Sequence, residues 1–119
     1  MSAFVIHGDQ VSRDTFPWGT LQWLCNDRLS PGAPLTVGIS QIAPGQSNPL
    51  HYHPNCEEVL YVLAGTGRHS LDGQLFDLRP GSLIRIPVGA KHNLVNTGRD
   101  NLSCLVAFSS GQRETVFLE

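Results

Sequence analysis

The sequence has few charged residues, no long apolar run and no basic cluster, and each absence excludes a class of protein. Charged residues make up 15% of the 119 residues, and the formal net charge is −2. Without a basic cluster, neither nucleic acid nor an anionic membrane is expected as the main partner. No apolar stretch approaches the ~20 residues of a membrane span. Because 40% of the residues are hydrophobic and few are charged, part of the surface is expected to be covered by another copy of the chain, which favours a homo-oligomer.

Cysteine pairs are also lacking. Cys25, Cys56 and Cys104 are odd in number and widely spaced, and no CxxC pair occurs. A disulfide framework or a thiolate zinc site is therefore not expected. The N-terminal residues 1–9 have neither the basic start nor the long apolar block of a signal peptide. Together these features predict a cytoplasmic protein.

Long helical periodicity is absent too, and turn residues break the chain throughout. The 12 glycines and 8 prolines are spread along the sequence rather than pooled in a linker. The β-prone runs between them cover residues 20–25, 35–42, 58–63, 69–71, 75–78, 83–86, 92–95 and 102–109. Asp72-Gly73 is a strong signal for a two-residue hairpin. Short, evenly spaced strands predict one all-β domain over residues 1–119, a sandwich or barrel.

The two ends of the chain are harder to interpret. Before Pro17, Ser12 or Asp14 can cap a short helical turn, but a lead-in strand fits equally well. The C-terminal residues 112–119 are β-prone enough to add an edge strand, which can lie on a neighbouring subunit.

The residues with the clearest chemical meaning are three histidines and one glutamate. His51 and His53 are two apart, so in an extended strand both rings project from the same face. After a short Pro-Asn turn, a second strand beginning at Glu58 can run antiparallel to the first and bring a carboxylate beside the imidazoles. His92 follows the turn at residues 86–91. These four side chains are the predicted ligands of one metal ion.

The ligand types narrow the choice of metal. Three imidazoles and one carboxylate suit Fe(II), Mn(II), Ni(II), Zn(II) or Cu(II) better than calcium or magnesium. Four protein ligands on an octahedral ion leave two positions free, which is typical of a catalytic site. Glu57 is the alternative carboxylate, but strand alternation places it on the face opposite Glu58, and Glu58 is preferred.

Two segments also match the motifs of a known family. The first, residues 45–65, fits G-x5-H-x-H-x4-E-x6-G, and the second, residues 81–96, fits G-x5-P-x-G-x2-H-x3-N. The matching residues are Gly45, His51, His53, Glu58, Gly65, Gly81, Pro87, Gly89, His92 and Asn96. On these residues the chain resembles a small single-domain member of the cupin superfamily that carries both cupin motifs. The resemblance implies a double-stranded β-helix, or jelly roll, metal binding by the two histidines, the glutamate and the later histidine, and frequent dimers.

Strand alternation also suggests the walls of a substrate pocket. If Glu58 faces inward, Leu60 and Val62 share its side, and Leu94 follows His92 inward. Gln41 precedes the ligand strand and either reaches the open side of the metal or solvates a loop.

His69 and Arg85 are polar residues in otherwise apolar strands. Inside the barrel either cation would anchor a carboxylate or phenolate. Exposure at the surface is the preferred interpretation for both.

The resemblance implies a metal-dependent enzyme, similar to the cupin dioxygenases, that acts on a small organic substrate. A redox-neutral isomerase, lyase or cyclase is the first alternative, with Glu57 or His69 as its base. A non-catalytic module that binds a small molecule is the second. A homodimer is expected in each case.

Overall fold

The chain folds into two antiparallel β-sheets that enclose one barrel. The computed structural model describes residues 4–119. The first sheet has six strands, in the spatial order β1 (Asp14–Phe16), β2 (Gly19–Cys25), β3 (Thr36–Ile42), β10 (Leu102–Phe108), β5 (Glu58–Ala64) and β8 (Leu83–Ile86). The second has five, in the order β11 (Val116–Phe117), β4 (His51–Tyr52), β9 (His92–Asn96), β6 (Gly67–Leu71) and β7 (Gln74–Leu78). The predicted all-β jelly roll is confirmed.

One predicted strand pairing is wrong. The strand of His51 and the strand of Glu58 were expected to form an antiparallel hairpin, but β4 and β5 belong to different sheets. Residues 53–57 cross from one sheet to the other, so β4 pairs with β9 and β11 while β5 pairs with β8 and β10. The histidines therefore face the glutamate across the barrel rather than along one sheet.

The chain ends resolve the alternatives that the sequence left open. A 3-10 turn at Gly8–Gln10 precedes β1, so a helical turn and a lead-in strand both occur. The predicted caps are wrong, because His7 caps the turn, and Ser12 and Asp14 follow it. Residues 1–3 of the N-terminal segment lie outside the described residues. At the other end, β11 pairs with β4 of its own chain.

Turn residues act as the motifs predict. The four motif glycines, at positions 45, 65, 81 and 89, all have positive φ angles. At Gly65 a Cβ atom would also lie 2.7 Å from the carbonyl oxygen of Asn101, so a side chain there would push the backbone at Asn101 away from Gly65. Asp72 and Gly73 have φ angles of 47° and 83° and form the tight turn between β6 and β7. Asn96 donates to the carbonyls of Ile42 and Asp100, which holds the chain reversal after β9.

Alternation along the strands fills one end of the barrel with apolar side chains. We call this the packed end; it consists of Ile42, Val62, Leu78, Ile84, Leu102 and Cys104. A Cβ on Gly67 would lie 2.5 Å from Leu102 Cδ2, so the packing here leaves no room for an added methyl group.

Cys25, Cys56 and Cys104 are free thiols. Within residues 4–119, none of the helical segments has the length and apolar character needed to cross a membrane.

Candidate metal centre

Four buried side chains from both sheets converge at the opposite end of the barrel. His51 on β4 and His92 on β9 are direct cross-strand partners in the five-stranded sheet. His53 follows β4, and Glu58 begins β5 in the six-stranded sheet. All four are buried. The convergence depends on strand register in one sheet and on the crossing of residues 53–57 to the other.

The separations suit a single metal ion. One potential ligand atom from each residue lies within 4.8 Å of all the others. Glu58 Oε1 is 3.1 Å from His92 Nε2 and 3.3 Å from His53 Nε2. Two ligand atoms about 2.1 Å from one ion at right angles would be about 3.0 Å apart. The observed gaps therefore match adjacent positions around such an ion.

Backbone carbonyls fix the orientation of all three imidazoles. Nδ1 lies 2.6 Å from the Pro49 oxygen in His51, 2.9 Å from the Glu114 oxygen in His53 and 2.9 Å from the Ala90 oxygen in His92. A carbonyl oxygen only accepts, so Nδ1 is the donor in each ring and Nε2 keeps its lone pair when the ring is neutral. This arrangement is typical of histidines that bind a metal through Nε2.

The electrostatics of the group also favour a cation at its centre. His53 Nε2 is buried without a hydrogen-bond partner among the described residues. Burial by itself raises the pKa of Glu58, but the imidazoles of His53 and His92 lower it to about 2, so the carboxylate is charged. Burial lowers the pKa of His51 to about 4, so this ring is neutral. Lone pairs directed at a carboxylate oxygen repel it unless a proton or a metal ion lies between them.

A cavity of about 280 Å³ opens onto this centre from one side. His51, His53 and Glu58 line it, whereas His92 is not part of its lining. The other lining side chains are mainly apolar and aromatic: Phe16, Trp18, Leu21, Trp23, Leu60, Leu94, Val106, Phe108 and Phe117. The four side chains and this cavity form what we call the open end of the barrel.

The cavity exists because β3 presents small residues to the interior. Gly38 and Ser40 face inward, while Ile39 faces outward between them. A Cβ on Gly38 would lie 2.6 Å from the Trp23 ring, so glycine is needed for the indole to lie against β3. Of the large apolar residues of this strand, Val37 and Ile39 face outward and only Ile42 faces inward.

Two of the pocket residues predicted from alternation line the cavity and one does not. Leu60 and Leu94 are part of its wall. Val62 points inward on the same strand as Leu60, but it is fully buried in the packed end and does not line the cavity. Strand alternation predicted the correct face for Val62. It is, however, the next inward residue after Leu60 on β5, and the cavity ends before it.

Gln41 and Arg85 lie outside the barrel. Gln41 accepts a hydrogen bond from Arg13 and donates one to Ser103, because inward Ile42 places its neighbour on the outer face. Arg85 is exposed, as preferred, and forms a two-point contact with Glu57 at 3.1 and 3.3 Å. Neither Gln41 nor Glu57 reaches the four converging side chains.

His69 was expected at the surface and is instead buried. Its position on β6 points inward, and its ring stacks on His92 with a centroid distance of 5.7 Å. It does not line the cavity. Burial lowers the pKa of His69 to about 4, which keeps the ring neutral beside His92.

The sequence interpretation missed the contribution of the C-terminal residues. Arg113, Thr115 and Phe117 line the cavity, and the Glu114 carbonyl orients His53. Trp23 on β2 also lines the cavity. The local pattern in residues 112–119 contained no ligand-type spacing, so only the pairing of β11 with β4 reveals this role.

Comparisons with known proteins agree with this geometry. The model of the cupin domain family matches residues 38–108. The polyketide synthase CurC of Streptomyces cyaneus is 37% identical over 62 residues, which cover 52% of this chain and 40% of that protein. Germin-like protein subfamily 1 member 7 of Arabidopsis thaliana is 33% identical over 93 residues, covering 68% and 41%. The chain thus spans less than half the length of these curated relatives.

Solved structures give the same fold. The oxalate decarboxylase of Lactobacillus farciminis, in its formate complex, superposes with a TM-score of 0.87 at 24% identity. The superposition covers 94% of this chain and 35% of the enzyme. The family match includes all four converging side chains and spans more than half of the chain. The protein therefore belongs to the cupin-domain family.

Proposed function

We propose that the protein binds one divalent transition metal ion on His51, His53, Glu58 and His92. The observation that carries this proposal is the convergence of three Nε2 atoms, each ring fixed through Nδ1 by a backbone carbonyl, on one buried carboxylate. Such a set has no evident structural purpose without a cation, since its lone pairs face one another away from water. The nitrogen and oxygen ligands suit Fe, Mn, Ni, Zn or Cu.

We further propose that the protein is an enzyme acting on a small organic molecule that enters the cavity. The bound metal would supply redox or Lewis-acid chemistry at the inner end of the cavity. Leu60, Val106 and Phe108 would exclude water from the reacting groups and hold the apolar part of the substrate. Because His51, His53 and Glu58 face the cavity, the substrate would approach the metal from their side, away from His92. A dioxygenase-like reaction is the form favoured here.

A redox-neutral isomerase, lyase or cyclase is the second candidate, and one observation favours it. Such a reaction needs a base near the substrate, and Asp14 of β1 lines the cavity. The two bases considered from the sequence are less suitable: Glu57 is paired with Arg85 outside the barrel, and His69 lies behind His92.

Metal analysis tests the centre directly. Protein purified without chelator should contain close to one metal ion per chain, and the double variant His51→Ala/His92→Ala should contain almost none. His7→Ala is the matched control, since His7 is an exposed imidazole that contacts Asp9 and Gln10 and does not line the cavity. A double variant that keeps its full metal content would refute the proposed centre.

Oxygen uptake then separates the reaction classes. The metal-loaded protein would be assayed with a panel of small diketones, phenols and thiols in an oxygen electrode. Iron or manganese together with substrate-dependent oxygen consumption would support the dioxygenase. Zinc or nickel without oxygen uptake would favour the redox-neutral reaction, with loss of turnover in Asp14→Asn. Tight binding without turnover of any ligand would indicate a binding module.

A homodimer remains a proposal, supported by the outer face of the six-stranded sheet. Tyr61, Leu63 and Leu83 are exposed there on neighbouring strands, at 39%, 48% and 58%. Burial of this face against a second copy would remove apolar surface from water. Light scattering should give twice the 13.0 kDa chain mass, and a monomer for Leu83→Lys.

A further inference from the structure

The C-terminal arm, residues 112–119, lies outside the cupin-family match yet forms one wall of the cavity. Asn55 clamps its start, because its side chain donates to the Gln112 carbonyl and accepts from the Glu114 amide. The pairing of β11 with β4 holds its end. The arm is therefore a fixed part of the open end rather than a loose tail.

The arm also contacts the metal centre directly. The Glu114 carbonyl oxygen lies 2.9 Å from His53 Nδ1. Thr115 Oγ1 lies 3.3 Å from the same nitrogen and accepts a hydrogen bond of 3.0 Å from Arg113 Nη1. A single hydroxyl thus separates the guanidinium of Arg113 from one of the four converging residues.

Arg113 has an unusual environment for an arginine. Its guanidinium carbon lies 4.3 Å from the centroid of the Trp23 ring and 5.2 Å from that of Phe108. The side chain is half-buried and lines the cavity. Across residues 4–119 no carboxylate lies within ion-pair distance of it, as none does for several surface arginines, but Arg113 differs from these in lining the cavity.

This unpaired cation has unused binding capacity. A guanidinium carries five N–H donors, and one of them is used by Thr115. Arginine stays protonated in proteins, so the charge cannot be removed by loss of a proton. The Trp23 and Phe108 rings hold the guanidinium by cation–π contacts that use none of its N–H donors. The donors that Thr115 does not use therefore stay available for a two-point contact with a carboxylate.

We propose that Arg113 binds the carboxylate of the substrate, so that the substrate is a small carboxylic acid with an apolar body. The acid group would lie at Arg113, and the body would extend along Leu60 and Phe108 towards His51 and Glu58. The cavity volume of about 280 Å³ is just below the range of pockets for drug-sized ligands, which limits the substrate to a small acid. This inference rests on the proposed function only for the part of the substrate that would react near His51 and Glu58.

Paired probes test the charge requirement. Benzoate with benzamide, and 3-methylbutanoate with 3-methylbutanamide, differ mainly in the negative charge of one end. Calorimetry on the purified full-length chain should show that at least one carboxylate binds about tenfold or more tightly than its amide, the ratio expected for charge-assisted hydrogen bonds. No preference for either carboxylate would overturn the proposal.

Variants then assign the preference to Arg113. Arg113→Gln should weaken carboxylate binding at least about tenfold and leave amide binding unchanged. Arg113→Lys should be intermediate, because it keeps the charge and loses the planar fork. Arg85→Gln is the matched control, since this arginine is paired with Glu57 outside the cavity, and it should bind both probes as the unaltered protein does.

Metal content and thermal melting of each variant separate this inference from the proposed function. Arg113→Gln should keep its metal and its melting temperature. If it loses metal along with benzoate, or weakens carboxylate and amide equally, Arg113 acts by positioning His53 or by packing, and the proposal is overturned. Charge-dependent binding through Arg113 by a chain that never holds metal would support this inference and refute the metal-dependent function.

Discussion

The two ends of the barrel interior are built by the same strands and serve opposite purposes. At the packed end, Ile42, Val62 and Leu102 are fully buried against one another. At the open end, the same strands β3, β5 and β10 line a cavity with Ser40, Leu60 and Val106. The position of an inward residue along its strand decides which end it joins: on β5, Leu60 lines the cavity and Val62 lies in the packed end. We infer that the packed end supplies the stability that lets the open end keep buried polar groups and empty space.

Residue size in the interior accounts for the difference. Gly67 faces Leu102 so closely that a methyl group would not fit, whereas Ser40 on β3 leaves the cavity open beside it. Large aliphatic side chains at the packed end give favourable transfer from water, at roughly 25 cal/mol per Å² of apolar surface. At the open end, desolvation of Glu58 is unfavourable and is offset only by the imidazoles, or by a cation, around it.

The largest expected effect is the loss of packing at the packed end. Leu102→Ala would leave an unfilled space, because its surroundings are rigid strands, and should lower the free energy of unfolding by about 2 to 5 kcal/mol. Leu60→Ala, a matched substitution at the open end, only enlarges an existing cavity and should cost less. Urea denaturation of both variants measures the difference, and equal losses would contradict the division into two ends.

The next effect separates two adjacent carboxylates. Glu58→Gln should weaken metal binding by about a hundredfold or more, since it removes the charged ligand, and metal competition with a chelator measures this. Glu57→Gln is the matched control. Its carboxylate pairs with Arg85 at the surface, so metal affinity should stay unchanged and stability should shift by at most about 0.5 kcal/mol. Equal losses of metal would show that the strand alternation argument is insufficient.

The sequence predicted those parts of the molecule that depend on local spacing. Strand positions, the Asp72-Gly73 turn and the glycines with positive φ follow from residue types a few positions apart. Glu58 was preferred over Glu57 on alternation alone, and Glu58 is the one that faces the histidines. The four converging residues were found because ligand types are rare and their spacing matched the cupin motifs.

What the sequence did not reveal depends on contacts between distant segments. The crossing of residues 53–57 between sheets looks like an ordinary hairpin turn in the sequence. His69 is buried because β6 pairs with β9. Residue type alone favoured an exposed position for this histidine. Arg113 reaches the cavity only because Asn55 holds an arm almost 60 positions away, so no local pattern marks it.

A smaller effect tests the clamp between the arm and the open end. Asn55→Ala would remove one donor and one acceptor from the arm and loosen the Glu114 carbonyl that orients His53. Loss of such a supporting contact should weaken metal binding by about tenfold, the lower end of the usual range. Asn101→Ala, a substitution of an exposed loop asparagine near the packed end, should leave metal affinity unchanged. If both variants bind metal normally, the arm does not support the centre.

The smallest effect tests how dry the packed end is. Burial raises the pKa of the Cys104 thiol to about 12 from a value of 9.0, because a thiolate there would lose its water. A raised pKa means that the folded state keeps a proton which the unfolded chain releases. The stability from this thiol is therefore complete below pH 9 and falls as the pH rises towards 12. Between pH 9 and pH 10 the free energy of unfolding should fall by about 1 kcal/mol from this thiol.

Comparison of the unaltered chain with Cys104→Ala by urea denaturation at pH 8, 9 and 10 isolates this contribution. Cys104→Ala has a pH-independent packing cost, so the gap between the two proteins should narrow over that range. A constant gap would mean that water reaches the thiol and that the packed end is less sealed than its side chains suggest.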